Sequence, residues 1–146
     1  MQRILATLAF LLLAAAGLTA VAQEVRFEPR AIVVNPNPTF GVDVSLDKSG
    51  SSPGYQIGER IRISVSVDRD AYVYLYSLRA DGRVVQILPN RFDENHRLRA
   101  GETRTYPPQN AGYTFNVDAP VGLSRVVAVA STRELDTREL ARFESG

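Results

Sequence analysis

The sequence predicts an all-β protein, an immunoglobulin-like antiparallel β-sandwich that ends in a short helix. Residues 60–67 alternate apolar and polar side chains, which is the pattern of a strand with one face in a core. Residues 70–90 hold two apolar runs separated by Asp81-Gly82, a strong signal for a β-hairpin. Similar short runs recur between turn signals along the chain, as expected for a sandwich of about seven to eight strands.

Residues 1–22 predict a secretory signal peptide. A short start that contains Arg3 precedes an apolar run from Ile4 to Ala16, and Ala20-Val21-Ala22 has the small-x-small pattern of a cleavage site. The run is shorter than the roughly 20 apolar residues that span a bilayer. We therefore expect cleavage before Gln23, with a retained anchor as the alternative. The mature chain would keep 124 residues (146 − 22), without a transmembrane segment, in the periplasm or at the cell surface.

Composition excludes several classes of site. The chain has no cysteine, so it forms no disulfide and offers no thiol nucleophile or thiolate metal ligand. It has 17 basic and 16 acidic residues, and loss of Arg3 leaves 16 of each. No basic run of the kind that follows a phosphate backbone occurs, so we expect no nucleic-acid partner.

The mature chain divides into an extended leader, residues 23–54, and a β-sandwich domain, residues 55–146. The leader contains a β-prone run at 31–34, an alternating strand at 40–46 and a polar, turn-rich end. By the same criteria, the domain has predicted strands at 60–67, in the hairpin at 70–90, at 98–106 around Gly101, at 113–117 and at 123–130.

The C-terminal residues predict a short helix. Asp136 is a suitable N-cap, and the side chain of Glu139, three positions later, can accept a hydrogen bond from the backbone amide of Asp136. Leu140 and Phe143 lie on one side of this helix. Because such a short helix is unstable alone in water, it must dock on its own sandwich or on a partner chain.

The hairpin has two apolar faces. Tyr72, Tyr74 and Tyr76 share one face, because side chains two positions apart lie on the same side of a strand. A two-residue type I′ turn at Asp81-Gly82 would place Tyr76 opposite Ile87. The tyrosines are either buried or form a partly exposed ladder that binds a partner. If buried, they lie in the core with their hydroxyls at its rim, or under the leader and the C-terminal helix.

The exposed ladder gives the candidate binding site. Tyrosines would supply the buried anchor of an interface, and Arg79 and Asn90 would supply hydrogen bonds at its rim. The candidate binding residues are Tyr72, Tyr74, Tyr76, Arg79, Pro89, Asn90 and Phe92.

No catalytic residue, cofactor or metal site is predicted with this chain's residues alone. His96 is the single histidine and lies in a polar loop with Asp93, Glu94 and Asn95. A zinc or copper site would need several nitrogen or sulfur ligands, which the chain lacks. A calcium ion could use the oxygen ligands of this loop, although their spacing matches no EF-hand.

Paired carboxylates for glycoside hydrolysis are also not expected. Asp68 and Asp70 lie at one end of the first hairpin strand, and Asp81 lies about ten residues away at the other end. They cannot share a substrate, because such enzymes need two carboxylates flanking one bond. Turn-capping is the expected role of all three.

Several short motifs between Tyr55 and Leu135 occur together in a characteristic order. They are GERI at 58–61, DAYVYL at 70–75, ADG at 80–82, LPN at 88–90, RAGE at 99–102, YP at 106–107, Phe115 and PVG at 120–122. In these motifs the chain resembles a bacterial family of secreted and envelope proteins that is classed as a domain of unknown function. The preceding VVNP at 33–36 is similar to the stand-alone envelope form. The resemblance implies an immunoglobulin-like β-sandwich and no known reaction.

These observations predict a non-catalytic, exported interaction module, an accessory subunit of a cell-envelope or surface-layer assembly. Its expected partner is an envelope protein, with peripheral association at the outer envelope. One alternative is a periplasmic protein that binds a small ligand or a metal ion, the ion in the loop at 91–97. The other is an enzyme whose site a partner chain completes.

Overall fold

The computed structural model describes residues 23–33 and 40–140, whose strands form two layers around a common apolar core. The elements are β1 (Glu24–Val33), β2 (Val42–Leu46), β3 (Gly54–Gln56), β4 (Arg60–Ile61), β5 (Ile63–Val67), β6 (Ala71–Leu78), β7 (Val84–Leu88), β8 (Arg97–Leu98), β9 (Thr103–Tyr106), β10 (Phe115–Asn116), β11 (Gly122–Ser131) and the helical turn α1 (Thr137–Leu140).

The first layer has the strand order β3-β1-β11-β6-β7, with β8 also paired to β6, and the second contains β2-β5-β9 and β10-β4. Only Arg62 separates β4 from β5. Tyr106 of β9 pairs with Ile63, and Phe115 of β10 pairs with Ile61. Strands β9 and β10 therefore follow one another along the same edge of the second layer.

The predicted all-β sandwich is confirmed. Ile61, Ile63, Val65 and Val67 are buried in alternation with more exposed residues, as the sequence pattern of 60–67 predicts. Side chains from both layers contribute to one apolar cluster. Burial of this alternating set is the main force that holds the layers together.

The segment at 23–54, expected as an extended leader with one or two strands, contributes β1 and β2 to the two layers. Val25 and Phe27 of β1 lie in the core. Strand β1 runs parallel to β11 from Val25 to Val33, which differs from the purely antiparallel order expected. The two strands are far apart in sequence, so the crossover that parallel pairing requires is available.

The segment at 98–106 contains two strands, and the prediction of a single strand there is wrong. Glu102 N donates to Arg99 O at 2.9 Å, and Gly101 has a φ of 77°. This turn carries the chain from β8 in the first layer to β9 in the second. A glycine is favoured at the turn because residues with a side chain are strained at this φ.

The C-terminal helix begins where predicted. The Asp136 Oδ1 atom accepts a hydrogen bond of 2.9 Å from Arg138 N at the start of α1, so Asp136 is the N-cap. Phe143 and the predicted signal peptide of residues 1–22 lie outside the described residues. Within the described part of the chain, none of the helices has the length and apolar character needed to cross a membrane.

Candidate functional site

The turn between β6 and β7 differs from the predicted two-residue turn. Gly82 N donates to Arg79 O at 2.9 Å, and Arg79 N donates to Arg83 O at 2.8 Å. Gly82 has a φ of 84°. Among the described residues only glycines have a positive φ, so the φ of Asp81 is negative. A type I′ turn would need a positive φ at Asp81 as well. The loop therefore has three residues, 80–82, with glycine in the left-handed position.

The longer loop shifts the register of the hairpin. Tyr76 lies opposite Gln86 and not, as predicted, opposite Ile87. Val85 lies opposite Ser77, on the face of the first layer that is turned towards the second. Because a shift of one residue moves a side chain to the other face, the turn geometry decides that Val85 points inward.

The three tyrosines of β6 lie on the outer face of the first layer, but they do not form an exposed ladder. Tyr74 is completely buried, whereas Tyr72 and Tyr76 are half-buried. The Tyr74 hydroxyl accepts a hydrogen bond from Leu135 N at 2.7 Å and lies 3.2 Å from Leu135 O. The expectation that Tyr74 is exposed is therefore wrong, because the segment before α1 covers it.

Burial has a second consequence for Tyr74. It raises the pKa of this phenol, because the charged phenolate is poorly solvated in the protein. Tyr74 thus stays neutral, and its hydroxyl joins the sheet to the C-terminal segment by hydrogen bonds to the Leu135 backbone.

His96 also covers the tyrosines on the outer face of the first layer. Its ring centre lies 4.9 Å from that of Tyr74 and 5.5 Å from that of Tyr72. The Nδ1 atom lies 2.8 Å from Glu94 O, and Nε2 lies 3.9 Å from a carboxylate oxygen of Glu134. These contacts give His96 a packing role on the outer face of the layer.

Asn90 organises the loop that follows β7. Its Oδ1 atom accepts hydrogen bonds from Phe92 N at 2.8 Å and Asp93 N at 2.9 Å, and its Nδ2 donates to Ile87 O at 2.8 Å. Pro89 O accepts a further hydrogen bond of 2.8 Å from Gln86 Nε2. The loop is thereby held in a shape that leaves the Phe92 side chain 58% exposed.

An apolar opening of about 310 Å³ lies between β7 of the first layer and β10 of the second. We call it the lateral cleft. It is lined on one side by Val85 and Ile87, and at its base and opposite side by Val25, Phe27, Ile61 and Phe115. Val85 is 44% exposed although it faces inward, so the sandwich is open at this edge.

Two contacts between the layers lie at the lateral cleft, one within its lining and one joined to it through Phe115. At one end Arg79 forms an ion pair with Asp118 at 3.0 Å. At the other end Phe92 stacks on Tyr113, with ring centres 5.1 Å apart, and Tyr113 contacts Phe115 edge to face at 5.4 Å. The cleft thus has a charged end and an aromatic end.

The structure divides the candidate binding residues into two groups. Arg79 lines the lateral cleft, and Phe92 reaches its lining residue Phe115 through Tyr113. Pro89 and Asn90 shape the loop that carries Phe92. The three tyrosines lie on the opposite face of the sheet. Sequence reasoning missed Tyr113, Phe115 and Asp118. The alternating pattern at 113–117 predicts a strand, but not that this strand and the turn after it face the hairpin.

The predicted turn-capping role is confirmed for Asp81, whereas Asp68 and Asp70 bind backbone amides 27 and 30 residues away. Asp68 Oδ1 accepts a hydrogen bond from Gly41 N at 2.7 Å, and Asp70 Oδ1 accepts one from Ala100 N at 2.9 Å. Asp81 Oδ1 accepts one of 3.1 Å from Arg83 N. This backbone hydrogen bond is the main cause that lowers the pKa of Asp81.

The polar loop at 91–97 holds its shape through backbone contacts. Asp93 N and O both pair with Asn90, and Asn95 Oδ1 lies 3.4 Å from Arg97 N. Across residues 23–33 and 40–140, no three His, Asp or Glu side chains come together in a way that could hold a metal ion.

Comparison with known proteins identifies a family but no function. A domain of unknown function, DUF4384, matches residues 54–134, which is 81 of the 146 residues (134 − 54 + 1) and more than half of the chain. No curated protein and no solved structure matches the chain. The match contains β3 to β11, the loop at the aromatic end of the lateral cleft, and the residues that line the cleft except Val25 and Phe27 of β1. The chain belongs to the DUF4384 family of domains of unknown function.

Proposed function

We propose that this protein is a non-catalytic, exported β-sandwich that binds a protein partner, as an accessory subunit of a cell-envelope or surface-layer assembly. One observation carries the proposal: Val84, Val85 and Phe92 are 38%, 44% and 58% exposed along one edge of the sandwich. Exposed apolar side chains grouped beside an apolar cleft are typical of an interaction surface.

The chemistry of the cleft supports binding rather than catalysis. Arg79 and Asp118 are the titratable side chains among the described residues that line it, and they neutralise each other. General acid–base catalysis needs a group that can exchange a proton with the substrate near the working pH. An arginine paired with an aspartate at the rim is better suited to hydrogen bonding with a partner.

The location in the envelope rests on the sequence. The charged start, apolar run and small-x-small end of residues 1–22 support export, and the order of motifs from 55 to 135 supports kinship with secreted and envelope proteins. The protein would then meet its partner in the periplasm or at the cell surface.

Capture from native envelope fragments tests the proposal. Purified, tagged wild-type protein should retain a specific envelope protein, identified by mass spectrometry. Phe92→Ser should lose most of this retention, because it removes the largest exposed apolar side chain at this edge. Ile57→Ser is the matched control, since Ile57 is 49% exposed but lies between β3 and β4, outside β7 and the loop that follows it. Equal retention by Phe92→Ser, or none by the wild type, would contradict the proposal.

A second candidate, a periplasmic carrier of a small apolar ligand, is favoured by the volume of the lateral cleft. About 310 Å³ is at the lower end of the range for small-molecule sites. Extraction of protein purified from its native compartment, followed by mass spectrometry, should then recover a stoichiometric small molecule. Recovery of none would exclude this candidate and leave the protein-binding proposal unaffected.

A further inference from the structure

We infer that β7 binds an extended segment of the partner by strand addition, with an apolar side chain of that segment in the lateral cleft and an acidic residue beside Arg91. This inference rests on the proposed function and specifies how the partner binds at the same edge. Its evidence is the hydrogen-bonding state of β7, the apolar cleft beside it and the charge at its end.

Strand β7 is the edge of the first layer. It follows β6 at the end of the strand order. The hydrogen bond from Arg79 N to Arg83 O sets the alternation of the antiparallel pair, so the backbone of Val85 faces β6. The N–H and C=O groups of Val84 and Gln86 then point away from β6. In the part of the chain that the structure describes, no strand pairs with β7 on that side.

The residues of β7 do not protect this edge. The strand reads VVQIL and contains no charged residue and no proline. Edge strands that avoid pairing with other chains usually contain a lysine, a proline, an inward-pointing charge or a β-bulge. The register shift of β7 against β6 lies beyond Gln86, towards Leu88. Val84, Val85 and Gln86 are exposed instead, so the edge is available for a further strand.

The lateral cleft provides a place for one side chain of an added strand. Such a strand lies about 4.8 Å from its neighbour, and its side chains alternate between the two faces of the sheet. The residue opposite Val85 would point towards the second layer, where Ile87 and Phe115 line the cleft. An apolar side chain there would cover the exposed part of Val85 and close the open edge of the sandwich.

Charge identifies the flank of the segment. Arg91 lies over the Phe92 ring at 4.5 Å, just beyond the end of β7. Among the ion pairs of the described residues, none includes Arg91. Its positive charge is therefore available to a carboxylate of the partner, which favours an acidic residue at that end of the segment.

The same geometry argues against a second copy of this chain as the occupant. Two β7 strands paired about a two-fold axis at Val85 would place Arg83 of one copy opposite Ile87 of the other. The arginine would then lie on the apolar, cleft-facing side, where a charged group is costly. A segment with an apolar residue at that position suits the cleft better.

Proline substitution separates strand addition from other ways of binding. Gln86→Pro removes an N–H group that points away from β6, so the pairing of β6 with β7 remains while the edge is blocked. Gln86→Ala is the matched control, because it removes the same side chain and keeps the N–H group. Both are assayed with Phe92→Ser and the wild type on native envelope fragments, after circular dichroism has shown that each variant is folded.

We expect Gln86→Pro to bind the retained envelope protein about tenfold or more weakly than Gln86→Ala does. Both variants lose the side-chain hydrogen bond to Pro89 O, so the difference between them measures the N–H group alone. If Gln86→Pro does not fold, Val85→Lys replaces it, since a charge facing the cleft should have the same effect. Binding that is lost with Phe92→Ser but kept with Gln86→Pro or Val85→Lys would overturn strand addition and leave the proposed function standing. No binding by the wild type would overturn both.

Analytical ultracentrifugation of the wild type tests whether a second copy of this chain pairs with β7. The protein should be monomeric in the absence of envelope fragments. A wild-type dimer that Gln86→Pro converts to a monomer would show that a second copy occupies the edge, and would overturn the inference.

Discussion

Arg79 donates a hydrogen bond of 3.0 Å to Asp118, and this ion pair joins the turn of the β6–β7 hairpin to the loop that precedes β11. The Arg79 side chain is 15% exposed and that of Asp118 is 73% exposed. The pair therefore lies at the boundary between the lateral cleft and solvent, where it defines one end of the binding edge.

The ion pair should contribute little to stability. We expect a double-mutant cycle of Arg79→Ala and Asp118→Ala to give a coupling free energy of about 1 kcal/mol or less, because solvent screens an exposed pair. Urea unfolding of the wild type, both single variants and the double variant measures it. The coupling should fall further at about 1 M salt. A coupling that is larger and insensitive to salt would show that the pair is buried.

Tyr74 should be a structural residue. Tyr74→Phe removes the hydroxyl that bonds to Leu135 and should lower the free energy of unfolding by about 1 kcal/mol. Tyr74→Ala should lower it by about 3–5 kcal/mol, since it also leaves a cavity. Tyr72→Phe is the control and should have little effect, because Tyr72 is half-exposed. Tyr74→Phe with wild-type stability would mean that the C-terminal segment does not dock there.

Stability should fall in alkaline solution. Burial raises the pKa of Tyr106 from 10.0 to about 12, and burial also raises the pKa of Tyr55. Below pH 10 these phenols are protonated in both states. Above it the unfolded chain loses its protons first, so unfolding becomes more favourable as the pH rises towards the folded value. Urea midpoints between about pH 8 and pH 12 measure this loss.

Tyr106→Phe isolates one contribution to the alkaline effect. Between pH 10 and 12 the free energy of unfolding should fall less in this variant than in the wild type, because the variant lacks a group with a shifted pKa. Near neutral pH the variant should change the free energy of unfolding less than it does in alkaline solution. The Tyr106 hydroxyl that it removes makes only a long contact to Arg104, at 3.5 Å. An unchanged pH profile would show that Tyr106 does not contribute to the loss.

Gly82 should be required by its backbone conformation. Gly82→Ala should lower the free energy of unfolding by about 1–2 kcal/mol, because its φ of 84° is unfavourable for a residue with a side chain. No atom lies within 4 Å of a Cβ built there, so the effect is not steric crowding. Gly112→Ala is the control, with equal space and no left-handed φ. Equal effects of the two variants in urea unfolding would contradict the assigned turn.

Export is testable directly. Expression of the full chain in a Gram-negative host should yield a periplasmic product that begins at Gln23, since residues 20–22 have the pattern of a signal-peptidase site. Intact-mass measurement of the fractionated product gives the answer. A product that keeps residues 1–22 in the membrane fraction would support the retained anchor instead.

The amino-acid sequence by itself determined the strands whose side chains alternate. The pattern at 60–67 predicts β5 and its buried valines, and the two apolar runs beside Asp81-Gly82 predict the hairpin. Asp136 likewise identifies the start of α1. These features depend on neighbouring residues and on local hydrogen bonds, so a short stretch of sequence contains the information they need.

Only the tertiary structure decided what covers each face of the hairpin. Tyr74 and Val85 are both apolar residues on β-strands, yet Tyr74 is fully buried on the outer face and Val85 is 44% exposed on the inner one. The difference arises because Leu135, distant in sequence, covers Tyr74, whereas none of the described strands lies beyond β7 in its layer. Burial depends on contacts between segments far apart in the chain, and local periodicity does not contain that information.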